Sequence, residues 1–201
     1  MFIVIEGIDG AGHTTQSNLL KEYFKNHGVD FIFLKTPNKN LPIGKAYYSY
    51  LNKEYELNTE AVFLLCASDV IMNKEKILDA KKGDRVILFE RYITSTLAYQ
   101  AANGFNFEKG VKMIKMLGFP RADAIIYLDV PVETAMERKM KDRCLDRHES
   151  DKNFLERVKD MYEREIKMNF LGKWHRVDAT REIYDVHASI VKTIKNKIKI
   201  K

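Results

Sequence analysis

The sequence has little cysteine and no long apolar run. Cys66 and Cys144 are the two cysteines in 201 residues, and their wide separation argues against a disulfide framework. No apolar stretch approaches the roughly 20 residues that a membrane-spanning helix needs, and Met1 leads into a predicted strand rather than into a signal peptide. We therefore expect a cytoplasmic protein in a reducing compartment, with no membrane partner.

Two functional signatures are also missing. Each Asn-Lys pair, beginning at residues 38, 52, 73 and 196, lacks the aspartate two places further on that a guanine-reading GTPase motif requires. The formal net charge of +6 suits small polyanions as well as nucleic acid, but no separate basic stretch is interleaved with aromatic residues. The sequence therefore argues against a GTPase switch and against a nucleic-acid partner.

Five short apolar runs alternate with amphipathic segments along the chain. Such runs are typical of a parallel sheet covered by helices on both faces, so we expect an α/β fold. An apolar fraction of 45% and a charged fraction of 31% suit a globular core, and we treat 1–201 as one domain. The predicted strands are Phe2–Ile5, Phe31–Leu34, Val86–Phe89, Ala124–Leu128 and Trp174–Val177, and the clearest helical segments are Thr15–Asn26, Thr59–Lys81 and Ser150–Phe170.

The first predicted strand runs into a glycine-rich loop with the spacing G-x-x-x-x-G-K-[ST], in which His13 takes the lysine position. Backbone N–H groups of such a loop form an anion-binding nest, and the positive end of the following helix adds to it. Thr14 is placed to bind the magnesium ion that accompanies the phosphates. The residues predicted to bind ATP phosphates are Gly7, Ile8, Asp9, Gly10, Ala11, Gly12, His13, Thr14 and Thr15.

Charged side chains follow the third predicted strand, and a second group of them lies between two helices at 138–149. Glu90 and Arg91 come directly after Val86–Phe89, where a carboxylate and a guanidinium need partners such as magnesium and phosphate, or each other. The basic residues of 138–149 are usual for a solvated loop, but phosphoryl transfer also needs cations around the migrating group. Beside a phosphate loop, we interpret this segment as a lid.

These motifs together resemble the thymidylate kinase family of P-loop nucleoside monophosphate kinases. The resemblance covers most of the chain and rests on Ile3–Gly12, Glu90-Arg91-Tyr92, Tyr127–Val130, Leu145–Glu149 and Val177–Thr180. It implies a three-layer P-loop NTPase fold with a five-stranded parallel sheet and a short lid at about 138–150. It also implies transfer of the ATP γ-phosphate to dTMP with Mg²⁺.

The resemblance implies a role for individual residues. Asp9 would accept from the 3′-hydroxyl of the acceptor nucleotide, Arg91 and Lys39 would hold its phosphate, and Tyr99 would disfavour a 2′-hydroxyl. Arg138 would stack on adenine beside the loop that contains Ala179, and Arg143 and Arg147 would close over the transferred group. Ser95, Leu65 and Asp69 would complete the acceptor site, and Glu90 would join Thr14 at the metal.

The sequence departs from the family pattern at three of these positions. His13 is shorter than lysine and only partly charged at neutral pH, although bound phosphates would raise its pKa. We interpret it as a weaker substitute, and the alternative is a regulatory nucleotide-binding protein with weakened transfer. Leu65 and Asp69 stand where the family has an aromatic residue and an arginine that reads thymine. Glu90 is one methylene longer than the aspartate of the family.

Asp69 leaves two interpretations open. A carboxylate repels thymine O4 but accepts from an exocyclic amine such as cytosine N4, which would change the preferred base to that of dCMP or another monophosphate such as dUMP. Alternatively, Asp69 points into solvent and another group reads the base. Members of the family pair through helices such as Thr59–Lys81, so we also expect a homodimer.

Overall fold

Five parallel strands form one sheet in the order β2–β3–β1–β4–β5. The computed structural model describes residues 1–83, 85–142 and 151–198. All five strand predictions are confirmed, and the observed strands extend one or two residues beyond the predicted ends. The strands are β1 (Phe2–Glu6), β2 (Phe31–Lys35), β3 (Val86–Glu90), β4 (Ala122–Asp129) and β5 (Gly172–Asp178).

Helices connect the strands and cover both faces of the sheet. Within the described ranges they are α1 (His13–Asn26), α2 (Pro42–Leu51), α3 (Thr59–Ile71), α4 (Lys74–Lys82), α5 (Ile93–Ala102), α6 (Phe107–Leu117), α7 (Val132–Asp142), α8 (Lys152–Lys167) and α9 (Ile183–Ile194), followed by a 3₁₀ turn at Lys195–Lys197. None of the helices in this part of the chain combines the length and apolarity that a bilayer crossing requires.

The alternation of side chains along β1 separates two apolar cores, because successive residues of a strand point to opposite faces. Ile3 and Ile5 belong to a core that includes residues of α1, α8 and α9. Phe2 and Val4 belong to a second core, which includes residues of α3, α5 and α6. The predicted three-layer α/β fold is therefore confirmed.

The segment Thr59–Lys81, predicted as one helix, is two helices. Helix α3 ends at Ile71 and α4 begins at Lys74. At the break, the Asn73 side-chain amide donates to the Asp69 carbonyl oxygen at 3.0 Å, and the Asn73 backbone N–H donates to Val70 rather than to the residue four positions back. Asparagine competes for backbone partners in this way, which favours a turn over a continuous helix.

The predicted lid is described only in part. Residues 138–142 form the last turns of α7, whereas 143–150, which include Arg143 and Arg147, lie outside the described residues. The neighbouring strands β1, β2 and β3 bring the loops at their carboxyl ends together, which is where ligands bind in open parallel sheets.

Candidate active site

A cavity of about 820 Å³ opens where β1, β2 and β3 end. It brings together most of the residues that the sequence predicted for the site. Gly7, Ile8, Ala11 and Ala179 are buried beside it without lining it. The predicted residues on its wall are Asp9, Gly10, Gly12, His13, Thr14, Thr15, Lys39, Leu65, Asp69, Glu90, Arg91, Ser95, Tyr99 and Arg138.

The phosphate loop depends on glycine at two positions for different reasons. Gly10 has φ +85°, and a Cβ atom there would lie 2.2 Å from the carbonyl oxygen of Ala135 in α7. Gly12 has φ +101° and is the N-cap of α1, but a Cβ atom there would meet no atom within 4 Å. Close packing therefore excludes a side chain at Gly10, whereas only the left-handed backbone disfavours one at Gly12.

His13 does not carry the charge that a lysine would bring to this loop. Its ring is buried, with Nε2 3.0 Å from the Gly7 carbonyl oxygen. Burial, together with the nearby Arg91 guanidinium, holds the pKa of His13 well below its usual value. The imidazole is therefore neutral in the free protein and donates its Nε2–H to Gly7. The rise of the pKa expected with bound phosphates stays a prediction.

Thr14 and Glu90 form a pair of hard oxygen ligands at the mouth of the loop. The Thr14 hydroxyl donates to Glu90 Oε1 at 2.9 Å. The Lys35 ammonium lies 2.6 Å from the same carboxylate oxygen and 3.2 Å from Thr14 Oγ1. A cation therefore already contacts both oxygens. Since Mg²⁺ takes one or two protein oxygens together with substrate phosphates, these two residues fit the ion.

Asp9, Arg91 and Tyr99 form a connected cluster on the opposite wall. Arg91 Nη2 donates to Asp9 Oδ1 at 2.6 Å, and the Tyr99 hydroxyl donates to Asp9 Oδ2 at 2.7 Å. Burial alone would raise the pKa of Asp9, but the Arg91 guanidinium and the Tyr99 hydroxyl outweigh it and lower the pKa to about 2. The Asp9 carboxylate is therefore ionised and fixed in position.

Arg91 is held in an unusual backbone conformation. Its φ is +62°, and its carbonyl oxygen accepts from the Thr36 hydroxyl at 2.5 Å. A non-glycine residue in this region costs free energy and is found preferentially at functional sites. The conformation lets the guanidinium turn back toward Asp9 directly after β3 ends.

Asp69 is buried on the cavity wall, so the expectation that it points into solvent is wrong. Which group reads the base stays a prediction. Its Oδ2 accepts from the Asn38 backbone N–H at 2.9 Å. Its Oδ1 is buried and has no hydrogen-bond partner in the described part of the chain. Burial raises the pKa of Asp69, although the Asn38 bond opposes the shift. An ordered water or a bound ligand would satisfy this oxygen.

The remaining predicted residues are partly engaged by their neighbours. The Lys39 ammonium lies over the Tyr48 ring, 4.9 Å from its centre. The Ser95 hydroxyl donates to the buried carboxylate of Glu6. Arg138 Nη2 donates to the Ala179 carbonyl oxygen at 2.9 Å, which joins α7 to the loop after β5. Arg138 thus lies beside the loop that contains Ala179, and its stacking on adenine stays a prediction.

Lys35 and Gln100 are among the polar residues of the cavity wall that the sequence did not predict. Lys35 stands opposite Glu90 in the pairing of β2 with β3, and its position as the last residue of a strand was the available signal. Gln100 follows Tyr99 in α5, and its Oε1 is buried with no partner among the described residues. A helical pattern alone does not identify which face of α5 meets a cavity.

Comparisons with known proteins agree with this arrangement. The family model described as thymidylate kinase matches residues 5–190. A thymidylate kinase of Plasmodium falciparum is 33% identical over 199 residues, which cover 99% of this chain and 91% of that protein. One from Fervidobacterium nodosum is 32% identical over 200 residues, with coverages of 96% and 97%.

A solved structure of thymidylate kinase from Candida albicans has the same fold. The TM-score is 0.79 at 22% identity, and the match covers 99% of this chain and 96% of that one. At this identity the structural likeness supports the fold, and the sequence matches carry the family assignment. The chain belongs to the thymidylate kinase family.

Proposed function

We propose that the protein transfers the γ-phosphate of ATP to dTMP. A non-bridging oxygen of the dTMP phosphate attacks the γ-phosphorus, the bond from that phosphorus to the β,γ-bridging oxygen breaks, and dTDP and ADP form. The single observation that carries the proposal is the joint placement of the phosphate loop and the Asp9–Arg91–Tyr99 cluster on one cavity. Family membership supports the choice of substrate.

The donor side of the cavity is assigned to ATP. Backbone N–H groups where the loop enters α1 bind the phosphates, because the first turn of this helix leaves such groups without helical acceptors. Arg138 and the Ala179 loop border the adenine, and their mutual hydrogen bond supports this. The catalytic arginines Arg143 and Arg147 are proposed from the resemblance alone.

Thr14 and Glu90 would hold Mg²⁺ together with oxygens of the bound phosphates. The ion supplies charge stabilisation for the transferring phosphoryl group. The described residues contain no cluster of three or more His, Cys, Asp or Glu side chains that could hold a metal ion. Binding through one hydroxyl, one carboxylate and the substrate is therefore the arrangement these residues allow.

The acceptor side is assigned to dTMP. Arg91 binds the phosphate with Lys39, and the pair is asymmetric because lysine lacks the fork of a guanidinium. Asp9 accepts from the 3′-hydroxyl, and Tyr99, which is fixed by Asp9, packs against the sugar edge and disfavours a 2′-hydroxyl. Leu65, Asp69 and Ser95 border the base.

A coupled assay of ADP release across a panel of monophosphates tests the proposal. We expect turnover with dTMP above that with dCMP, dUMP and ribothymidine monophosphate. Calorimetric titration with ATP in the presence of Mg²⁺ accompanies it. ATP binding without turnover of any monophosphate would identify a regulatory nucleotide-binding protein, and preferred turnover of dCMP or dUMP would identify a changed base preference.

We further propose that two copies pair through α3, as sequence resemblance predicted. Leu64 on this helix and Met72 at its end are about half exposed, which supports an apolar contact there. Light scattering on the purified protein should give twice the mass of one chain, and Leu64→Glu should give the single mass. The cytoplasmic location stays a prediction.

A further inference from the structure

The phosphate loop itself brings no positively charged side chain to the donor half of the cavity. The His13 imidazole is buried and directed at the Gly7 carbonyl oxygen rather than at the cavity mouth. Phosphoryl transfer depends on cations that are fixed beside the phosphates before the reaction. If ATP binds here, another residue must supply the charge.

Lys35 is in the right place to supply it. It ends β2, and the register of the two strands sets it opposite Glu90, the last residue of β3. Its ammonium contacts both Glu90 Oε1 and Thr14 Oγ1, one residue away from His13 along α1. Its side chain is 39% exposed, whereas Glu90 is buried, so the lysine can reorient and the carboxylate cannot.

The other cations of the described cavity wall are directed elsewhere. Arg91 is bonded to Asp9 and Lys139 interacts electrostatically with the same carboxylate. Arg138 is bonded to the Ala179 carbonyl oxygen, and Lys39 lies over Tyr48. Lys35, in contrast, contacts Thr14 in the first turn of α1, next to His13.

We propose that Lys35 replaces the missing loop lysine as the cation that binds the donor phosphates. In the free protein, Thr14 and Glu90 hold its ammonium. Thr14 and Glu90 would hold the metal that accompanies the nucleotide, and the flexible four-carbon stem of Lys35 lets its ammonium bind the phosphate oxygens instead. Lys35 then contacts the substrate and no proton or bond is exchanged at its nitrogen. This inference rests on the proposed function.

A simpler role for Lys35 is that of a counter-ion for the buried Glu90 carboxylate. The two roles differ in the sign of one measurable effect. A counter-ion competes with magnesium for Glu90, so that its removal leaves the binding of magnesium-bound ATP unchanged or makes it tighter. A phosphate-binding cation contributes a charge-assisted hydrogen bond, so that its removal weakens binding.

The test compares Lys35→Met, His13→Lys and the double variant with the parent protein. Calorimetry with ATP and excess Mg²⁺ should show about 10- to 100-fold weaker binding for Lys35→Met, which is the usual effect of one hydrogen bond to a charged group. In the His13→Lys background the same substitution should cost less than about threefold, because the loop then has its own cation. Turnover with dTMP should follow the same pattern.

Two further variants keep the result interpretable. Lys21 lies in α1, and its ammonium is close to the ring of Phe33, which is in β2 like Lys35. Lys21→Met therefore removes a positive charge from the same region and should leave ATP binding unchanged. Lys35→Arg keeps the charge and should retain most of the affinity for ATP. If Lys35→Met loses ATP binding because it unfolds, its melting curve will show this, and Lys35→Arg then provides the test of the charge in a folded protein.

Three outcomes would overturn the inference. These are unchanged or tighter ATP binding by Lys35→Met, equal losses in both His13 backgrounds, and a loss in Lys35→Arg as large as that in Lys35→Met. Failure of the proposed function is a separate result, because the parent protein would then bind no ATP or would show no turnover of any monophosphate.

Discussion

The two halves of the cavity are built in different ways. The donor half is a backbone structure, in which glycines with positive φ turn the phosphate loop and the first turn of α1 leaves N–H groups without helical acceptors. The acceptor half is a side-chain structure, in which Asp9, Arg91 and Tyr99 fix one another through hydrogen bonds. Backbone groups bind phosphate whatever the side chains are, so the donor half can lose its lysine and remain recognisable. The acceptor half depends on its side chains, so substituting one of them should impair binding directly.

The largest effect should come from breaking the acceptor half at Arg91. Arg91→Met removes the guanidinium that we propose binds the acceptor phosphate, and we expect kcat/KM for dTMP to fall at least about 10³-fold, as for other arginines at a transferring phosphoryl group. ATP binding should change little, since the donor half is a backbone structure. Steady-state kinetics and calorimetry with ATP measure the two effects.

Arg91→Lys provides the graded control. It keeps the charge without the planar fork, so its loss should lie between those of the parent and the methionine variant. Arg164→Met, which removes an exposed arginine paired with Glu108, should be neutral. An equal loss of ATP and dTMP binding in Arg91→Met would mean that the two halves are not independent.

A pair of glycine variants tests the donor half. Gly10→Ala and Gly12→Ala both place a side chain at positive φ, which costs roughly 1–3 kcal/mol. Gly10→Ala also forces a Cβ atom to 2.2 Å from the Ala135 carbonyl oxygen. We therefore expect its free energy of unfolding to be lower by about 2 kcal/mol than that of Gly12→Ala, as measured by urea denaturation.

The two glycine variants also differ from the Arg91 variants in which substrate they affect. Both should weaken ATP binding more than dTMP binding, because the loop is assigned to the donor. Equal stability of the two would show that α7 moves aside from Gly10, and the close approach of Ala135 would then have no energetic consequence.

The sequence predicted the features that depend on local backbone pattern better than those that depend on side-chain contacts. Residues 2–15 already contain a strand, a loop and a helix start in fixed order, so local pattern is sufficient to place them. The five strands were predicted for the same reason. The break at Asn73 was missed because its cause is a single side-chain hydrogen bond to Asp69, which helical periodicity does not reveal.

Contacts between distant segments explain the remaining differences. The pairing of Lys35 with Glu90 depends on the register of β2 against β3, and strand register is set by the whole sheet. Asp69 is buried because Asn38, 31 residues earlier, donates to it. Gly44 allows this loop to lie close to α2, since a Cβ atom there would meet the Asn38 carbonyl oxygen at 1.9 Å. These contacts join residues that are far apart in the sequence, so no local sequence pattern predicts them.

A smaller effect is expected at Asp69, where the acceptor half departs from its family. Asp69→Asn keeps an oxygen for the Asn38 N–H and adds a donor that can reach thymine O4. We expect the ratio of kcat/KM for dTMP to that for dCMP to rise about tenfold, within the usual 1–3 kcal/mol for one base-reading contact. Leu65→Met, a change of shape without polarity on the same wall, is the control. An unchanged ratio would mean that another group reads the base.

The smallest expected effect is a change in the pH dependence of stability, caused by the neutral His13 of the donor half. It is measured from thermal unfolding rather than from activity. Its pKa in the folded protein lies below the value of about 6.5 in the unfolded chain, so below that pH the unfolded state binds more protons. The stabilisation is present above pH 6.5 and is lost as the pH falls toward the folded pKa.

His13→Gln keeps an N–H donor for the Gly7 carbonyl oxygen and removes the titration. Between pH 7.5 and 5.5 the parent should therefore lose up to about 1.4 kcal/mol more than the variant, or roughly 3–6 °C in Tm. Scanning calorimetry of both proteins at the two pH values measures the difference. Carboxylates with shifted pKa values, such as Glu6 and Glu165, are present in both proteins, so their contributions to the pH dependence of stability cancel in the comparison. Equal changes in Tm would mean that the imidazole is not held neutral, and the donor half would then possess a cation of its own.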